Sequence, residues 1–218
     1  MPENSVTAPK TTKTNQLDFW QGSTGNDYIE RNKFEPWKLE PGQRAFQKML
    51  RHLKFKSVLE VGSNIGLNLI YLSQLFGEDL DLFAVEPNTA AFHKLTSEAK
   101  LKNLKKAWNC NAFNLPLENG SIDLVFTSGV LIHIAPRDLQ RATDEIVRVS
   151  SKYVLCLEYF SHKPVSIEYR GRKDLLFKRD FGAFYQDTYP ELQCRDYGFL
   201  WQREFAVFDN LTWWLFEK

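Results

Sequence analysis

Between residues 57 and 160, short apolar runs alternate with segments whose apolar positions return every three or four residues. SVLEV (57–61) reads as a buried strand. A helix over 67–76 follows, with Leu69, Leu72 and Phe76 on one face. DLFAVE (81–86) predicts a second strand, and Asn88 suits the cap of a helix carrying Phe92, Leu95 and Ala99. AWNCNA (107–112), IDLVFTS (122–128) and YVLCLEYF (153–160) predict three more strands. Asp138 suits the cap of a helix with Leu139, Ala142, Ile146 and Val149 along one stripe. Strands alternating with helices imply an α/β fold, a parallel sheet covered on both faces.

The two ends break this rhythm. Residues 1–16 are rich in Thr, Lys, Pro and Asn and are expected to be disordered. An aromatic and polar segment spans 17–37, and a helix is expected over 43–53, after a Pro41-Gly42 turn. From His162 to Tyr189 the chain is basic, aromatic and irregular, which suggests a cap of about 160–190 inserted into the domain. LQCRDYGFLWQREF and NLTWWLFEK then read as two further strands, seven in all. One domain over 17–218 is the expectation.

Composition narrows the function classes. Of 218 residues, 43% are hydrophobic, enough for a sizeable core. The formal charge of +1 and the lack of a long basic stripe point away from nucleic acid. No apolar run reaches the ~20 residues of a membrane helix, and the N-terminus lacks the apolar segment of a secretory signal. Cys110, Cys156 and Cys194 form no close pair, so they read as reduced core residues of a cytoplasmic protein, with no metal cluster. Aromatic residues are dense toward both ends and sparse in the middle, as packing or ligand recognition would arrange them.

The candidate chemistry starts at VLEVGSNIG, 58–66. A turn between a first strand and a first helix aims backbone N–H groups at a helix N-terminus, which favours an anion or carboxylate. A dinucleotide fingerprint needs glycines where Gly62, Asn64 and Leu67 stand, and only the first matches. Gly62 and Gly66 remain, with Asn64 tolerated because asparagine enters left-handed backbone more readily than most residues.

EVGSNIG resembles the E/D-x-G-x-G-x-G turn of class I S-adenosylmethionine-dependent methyltransferases. That resemblance implies a Rossmann-like fold with a mostly parallel seven-stranded sheet, helices on both faces, an N-terminal lid and the inserted cap. It implies S-adenosylmethionine as cofactor, with Glu86 at the ribose hydroxyls, since a carboxylate accepts two hydrogen bonds from a vicinal diol. It implies further cofactor contacts from Glu60, Ser63, Pro87, Asn111, Ala112 and Ser128. Asn111 stands where the family usually has an aspartate and can still accept a hydrogen bond. FWQGSTGNDYIERN, FTSGVLIHIAP, EYFS, YRGRKDLLFKRDFG and DYGFLW together resemble the pseudaminic acid biosynthesis-associated methylase family. This implies methyl transfer to an oxygen or nitrogen of a small sugar-like acceptor. The N-terminal segment, with Trp20, Tyr28, Arg31 and Asn32, would then close over the cofactor.

His133 is the candidate base after the fourth strand, set against packing among its Ile and Leu neighbours. Arg170, Arg172 and Arg179 interleave with aromatics in the cap. They are candidates for an anionic acceptor because guanidinium binds carboxylate and phosphate bidentately, although a solvated face reads the same way. Trp20 joins this substrate set, and Glu158 and His162 are weaker acceptor-side candidates. Thr127-Ser128-Gly129-Val130 stands where an N-P-P-[YF] motif would suggest a DNA or protein acceptor. Two rivals stay open: a methyltransferase acting on protein or RNA, and a cofactor-binding subunit without an acceptor site. The oligomeric state carries no sequence signal.

Overall fold

A computed structural model describes residues 13–218; the expected disorder over 1–12 lies outside the described residues. Regular structure begins before Leu17. Thr14 accepts a hydrogen bond from the Leu17 N–H and caps α1 (Asn15–Gln21), with Gln16 buried. α2 (Ser23–Arg31) follows, so the aromatic N-terminal segment is a helix pair.

α3 (Leu39–Leu50) starts four residues earlier than its apolar pattern predicts. Pro41 and Gly42 sit in its first turn, where a missing N–H costs nothing. Gly42 is there for closeness: a Cβ would stand 2.5 Å from the Tyr71 ring.

The sheet comprises β1 (Ser57–Val61), β2 (Asp81–Val85), β3 (Leu104–Trp108), β4 (Ile122–Ser128), β5 (Ser150–Glu158), β8 (Gln193–Leu200) and β9 (Leu211–Glu217); β6 (Val165–Tyr169) and β7 (Arg172–Lys178) form a separate hairpin. The seven strands lie in the order β3-β2-β1-β4-β5-β9-β8. The first five are parallel, and β9 runs antiparallel to both its neighbours. α4 (Leu67–Phe76) and α5 (Thr89–Ser97) pack with α3 on one face; α6 (Pro136–Val149) and α7 (Phe181–Thr188) cover the other. β1 carries apolar residues toward both faces: Val58 points into one core and Leu59 and Val61 into the opposite one.

Three local expectations are corrected. β3 lies three residues earlier than predicted, because it is an edge strand whose Lys105 and Lys106 face solvent and mask the pattern. α6 is capped at Ala135 with Pro136 at its first position, and Asp138 sits inside its first turn. The segment expected to be an irregular cap is regular: a hairpin turning at Arg170 and Gly171, with φ of 52° and 74°, followed by α7. Cys156 is core, while Cys110 and Cys194 are half-buried.

Strand order reverses between β1 and β4. In open α/β sheets the crevice at the carboxyl ends of such strands is where ligands bind, and it is where the turn after β1 opens here.

Candidate active site

The turn after β1 is pinned from below by β2. Gly62 and Ser63 donate backbone N–H bonds to the Val85 carbonyl at 2.7 and 3.0 Å, and Gly66 N–H reaches Ser63 O at 2.8 Å. Gly62, Asn64 and Gly66 all have positive φ, at 80°, 48° and 83°. A Cβ on Gly62 would lie 2.5 Å from a Val130 methyl, so the glycine also lets the loop after β4 approach. Gly66 does not line the cavity. It is the left-handed residue before α4, and a Cβ there would meet Leu95 at 2.4 Å.

Glu86 directly follows β2 and has both oxygens engaged: Asn64 N–H and Asn88 N–H donate to them at 2.7 Å each. Burial pushes its carboxyl up to about 7 despite those two bonds. Glu60 is 2% exposed and lies inside β1. Asn68, at the start of α4, donates to its Oε1 at 2.6 Å, while Oε2 is buried with no partner. Burial pushes this carboxyl up to about 8, with Glu86 adding to the rise. A buried carboxyl with one oxygen unpartnered is what a cationic ligand would satisfy, displacing the proton that burial holds there.

A cavity of about 470 Å³ opens over these groups. Glu60, Gly62, Ser63, Asn64, Glu86, Pro87, Asn111, Ala112 and Ser128 line one part of it, with Tyr28 and Arg31 from α2. Asn111 accepts from Phe113 N–H at 3.0 Å through the oxygen expected to be free, leaving that oxygen's second lone pair. Trp20 and His133 line the same space, their ring centroids 4.5 Å apart.

His133 Nδ1 is 2.7 Å from the Leu175 carbonyl oxygen of β7. A carbonyl only accepts, so Nδ1 carries the proton and Nε2 keeps its lone pair. Burial lowers the His133 pKa to about 4 even though the carbonyl bond opposes the shift. The ring is therefore neutral at ordinary pH.

The three cap arginines are not brought to the cavity. Arg170 occupies the hairpin tip, over the Tyr169 ring. Arg172 is held bidentately by Asp174 at 2.9 and 2.7 Å. Arg179 stacks on Phe184 at 4.4 Å. His162 is exposed and away from the cavity. Glu158 is consumed structurally, accepting from Val130, Leu131 and Ile132 N–H groups and so fixing the loop that carries His133.

Residues 58–152 match the family described as a methyltransferase domain. The protein is an S-adenosylmethionine-dependent methyltransferase. Its fold is shared with a Leishmania major S-adenosylmethionine-dependent methyltransferase: 12% identity, 94% of this chain, 87% of that one, TM-score 0.68. It is shared as well with the Burkholderia thailandensis 1,6-didemethyltoxoflavin-N1-methyltransferase, solved with 1,6-didemethyltoxoflavin and S-adenosylhomocysteine: 13% identity, 98% and 93% coverage, TM-score 0.67. A third similar structure is a complex of a Haloferax volcanii methyltransferase with its activator Trm112: 14% identity, 88% and 94% coverage, TM-score 0.67.

Several lining residues of this methyltransferase were not expected from its sequence. Asn68 and Tyr71 come from α4, while Tyr159 and Asp209 come from two segments brought together only by folding; Tyr169, one of the aromatics expected beside the arginines, lines the cavity with them. Asn88 was expected only as a helix cap. Its side-chain Nδ2 also donates to Trp20 O at 2.9 Å and Asn26 Oδ1 at 3.0 Å, tying the N-terminal helices to the end of β2. Among the described residues, no helix is long and apolar enough to cross a membrane.

Proposed function

We propose that this methyltransferase modifies an oxygen or nitrogen of a small sugar-like acceptor, in line with its resemblance to the pseudaminic acid-associated methylases, and that it works in the cytoplasm. The observation that carries the small-molecule part is the cavity of about 470 Å³, roofed by α1 and α2 and flanked by the β6–β7 hairpin. Pockets of roughly 300–1,000 Å³ suit small ligands. Trp20, Tyr28, Tyr159 and Tyr169 offer ring faces with polar tips, a lining that suits a polyhydroxy compound. A negative charge on the acceptor has less support. Among the described residues Arg31 is the one lysine or arginine that lines the cavity.

When bound, S-adenosylmethionine supplies an electrophilic methyl group on its sulfonium. In this reading Glu86 accepts from the ribose hydroxyls, and Asn111 and Ala112 lie along the adenine. Glu60 faces the cofactor's positive end, and Arg31 faces its carboxylate. Gly62, Ser63 and Asn64 shape the turn, with Pro87 and Ser128 completing the wall. α1 and α2 act as the lid, excluding water and holding the acceptor in place; such positioning supplies up to ~7–11 kcal/mol of a barrier. His133 holds its proton at Nδ1 and offers the Nε2 lone pair to an acceptor hydroxyl.

The test is release of S-adenosylhomocysteine with nonulosonic acids, nucleotide sugars, protein extracts and RNA offered separately. Turnover confined to the sugar compounds supports the proposal. Turnover confined to protein or RNA overturns the acceptor class, and cofactor binding without turnover on any of them favours a binding subunit.

A further inference from the structure

We infer that Asp209 and Tyr159 form an acceptor-binding pair at the mouth of the cavity, which takes a hydrogen-bond-donating hydroxyl or amino group of the acceptor. The inference rests on the small sugar-like acceptor proposed above and assigns the residues that grip it.

Tyr159 directly follows the end of β5, and Asp209 lies 50 residues later, in the segment between β8 and β9. The Tyr159 hydroxyl donates to Asp209 Oδ2, and both residues line the cavity. Each is held from behind. Phe205, Phe208 and Leu211 are buried at every third position, so Asp209 is presented to solvent between two anchors. Phe208 packs on Phe46 with centroids 6.1 Å apart. Lys178 Nζ lies 4.4 Å from the centroid of the Tyr159 ring, on the hairpin side.

The pair has spare capacity and a defined sign. Tyr159 uses one of the carboxylate's four lone-pair sites, leaving Oδ1 open. A carboxylate recognises donors and repels anions, so an anionic group of the acceptor would be directed away from this corner. Tyr28 and Tyr169 line the same cavity and place two more phenols beside the pair. The Tyr28 hydroxyl is pushed up by burial first, and then by Tyr169 and Asp209. None of this machinery belongs to the glycine turn: Glu60, Glu86 and Asn111 come from the other side of the strand reversal.

The test compares wild type with Asp209→Asn and Tyr159→Phe. Calorimetry on the protein saturated with S-adenosylhomocysteine uses three probes: N-acetylneuraminic acid, glucosamine and glucose. Cofactor affinity is measured separately. We expect at least one probe to bind wild type and to weaken roughly 10- to 100-fold in Asp209→Asn, because a hydrogen bond to a charged group is lost. Tyr159→Phe should weaken it less, and affinity for S-adenosylhomocysteine and the melting temperature should stay at wild-type values. Two outcomes overturn the inference: no probe binding to wild type, and probe affinity unchanged in both variants. So does a parallel loss of S-adenosylhomocysteine affinity, which would assign the pair to the cofactor. Methyl transfer separates the two readings. Sugar methylation with an acceptor KM unmoved in Asp209→Asn defeats this inference alone. Asp209-dependent probe binding with no methylation of any sugar compound defeats the sugar-acceptor proposal alone.

Discussion

His133 Nδ1 stands 2.7 Å from the carbonyl oxygen of Leu175, so the loop after β4 is bonded to the second strand of the cap hairpin. The bond fixes the tautomer. Burial keeps the ring neutral, with a pKa of about 4, so it is available as an acceptor but is a weak base. His133→Asn should lower turnover by roughly 10²-fold at neutral pH, the low end for general-base catalysis. Affinity for S-adenosylhomocysteine should hold. Normal turnover with a lower melting temperature would assign the residue to packing instead.

Gly62→Ala should damage the cofactor turn by two routes. A side chain at φ 80° costs roughly 1–2 kcal/mol, and its Cβ would press on Val130 at 2.5 Å. Cofactor affinity and melting temperature should fall together. Adding Val130→Ala removes the contact but not the backbone cost, so it should restore part of the stability. No restoration would place the whole penalty in the backbone.

The strands that sequence pattern located well are those whose two faces both meet protein. β1 and β4 sit in the middle of the sheet, and their Val, Leu, Ile and Phe side chains meet protein on both faces, so a short apolar run locates them despite Glu60 and Asp123. β3 and β6 show their side chains to water. Solvent imposes no apolar requirement there, and the period-two signal fades. The hairpin turn at Arg170-Gly171 was hidden by the basic run around it. At the site, the glycine turn and Glu86 were readable because neighbouring residues in sequence build them. Tyr159 and Asp209 were not, since nothing local announces a contact spanning 50 residues. Nor does the basic run announce that Asp174, two residues from Arg172, satisfies that guanidinium from within the hairpin.

Burial raises three carboxyls: Glu60 to about 8, Glu86 to about 7 and Glu158 to about 7. In the unfolded chain such groups titrate near ~4.3. Between ~4.3 and these folded values the native state holds protons that the unfolded state has lost. Their contribution is therefore complete below ~4.3 and disappears as pH rises through 7 to 8. His133 works the other way, losing stability as pH falls from ~6.5 toward its folded value of about 4. Three groups outweigh one, so the free protein should melt at a lower temperature at pH 8 than at pH 5. A cationic ligand beside Glu60 lowers its pKa, so S-adenosylmethionine binding near pH 7 should release up to about one proton. Calorimetry in two buffers of different ionisation enthalpy measures that number. Glu60→Gln should bring it close to zero; proton uptake by wild type would overturn the assignment of Glu60 to the cofactor's positive end.

Asn88 couples two functions that a pair of substitutions can separate. Its Oδ1 accepts from Ala91 N–H at 2.9 Å and caps α5, while its Nδ2 bridges to Trp20 O and Asn26 Oδ1. Gly25 shows how closely the N-terminal helices are folded at this point: a Cβ there would fall 2.7 Å from Asn88 Nδ2. Asn88→Ser keeps a capping oxygen but cannot reach both partners. Asn88→Ala loses the cap as well, at a further cost of ~1 kcal/mol. Both variants should loosen α1 and α2, seen as faster amide exchange over residues 15–31, and both should weaken S-adenosylmethionine binding. Only Asn88→Ala should speed exchange in the first turn of α5. If Asn88→Ser leaves exchange over 15–31 at the wild-type rate, the helix pair is held by other contacts. Those would be Gln21 to the Pro87 carbonyl at 3.0 Å and the Lys94–Glu30 ion pair at 2.7 Å. Exposed pairs of that kind contribute only ~0–1 kcal/mol, so the Asn88 bridge should hold the helices more strongly than either.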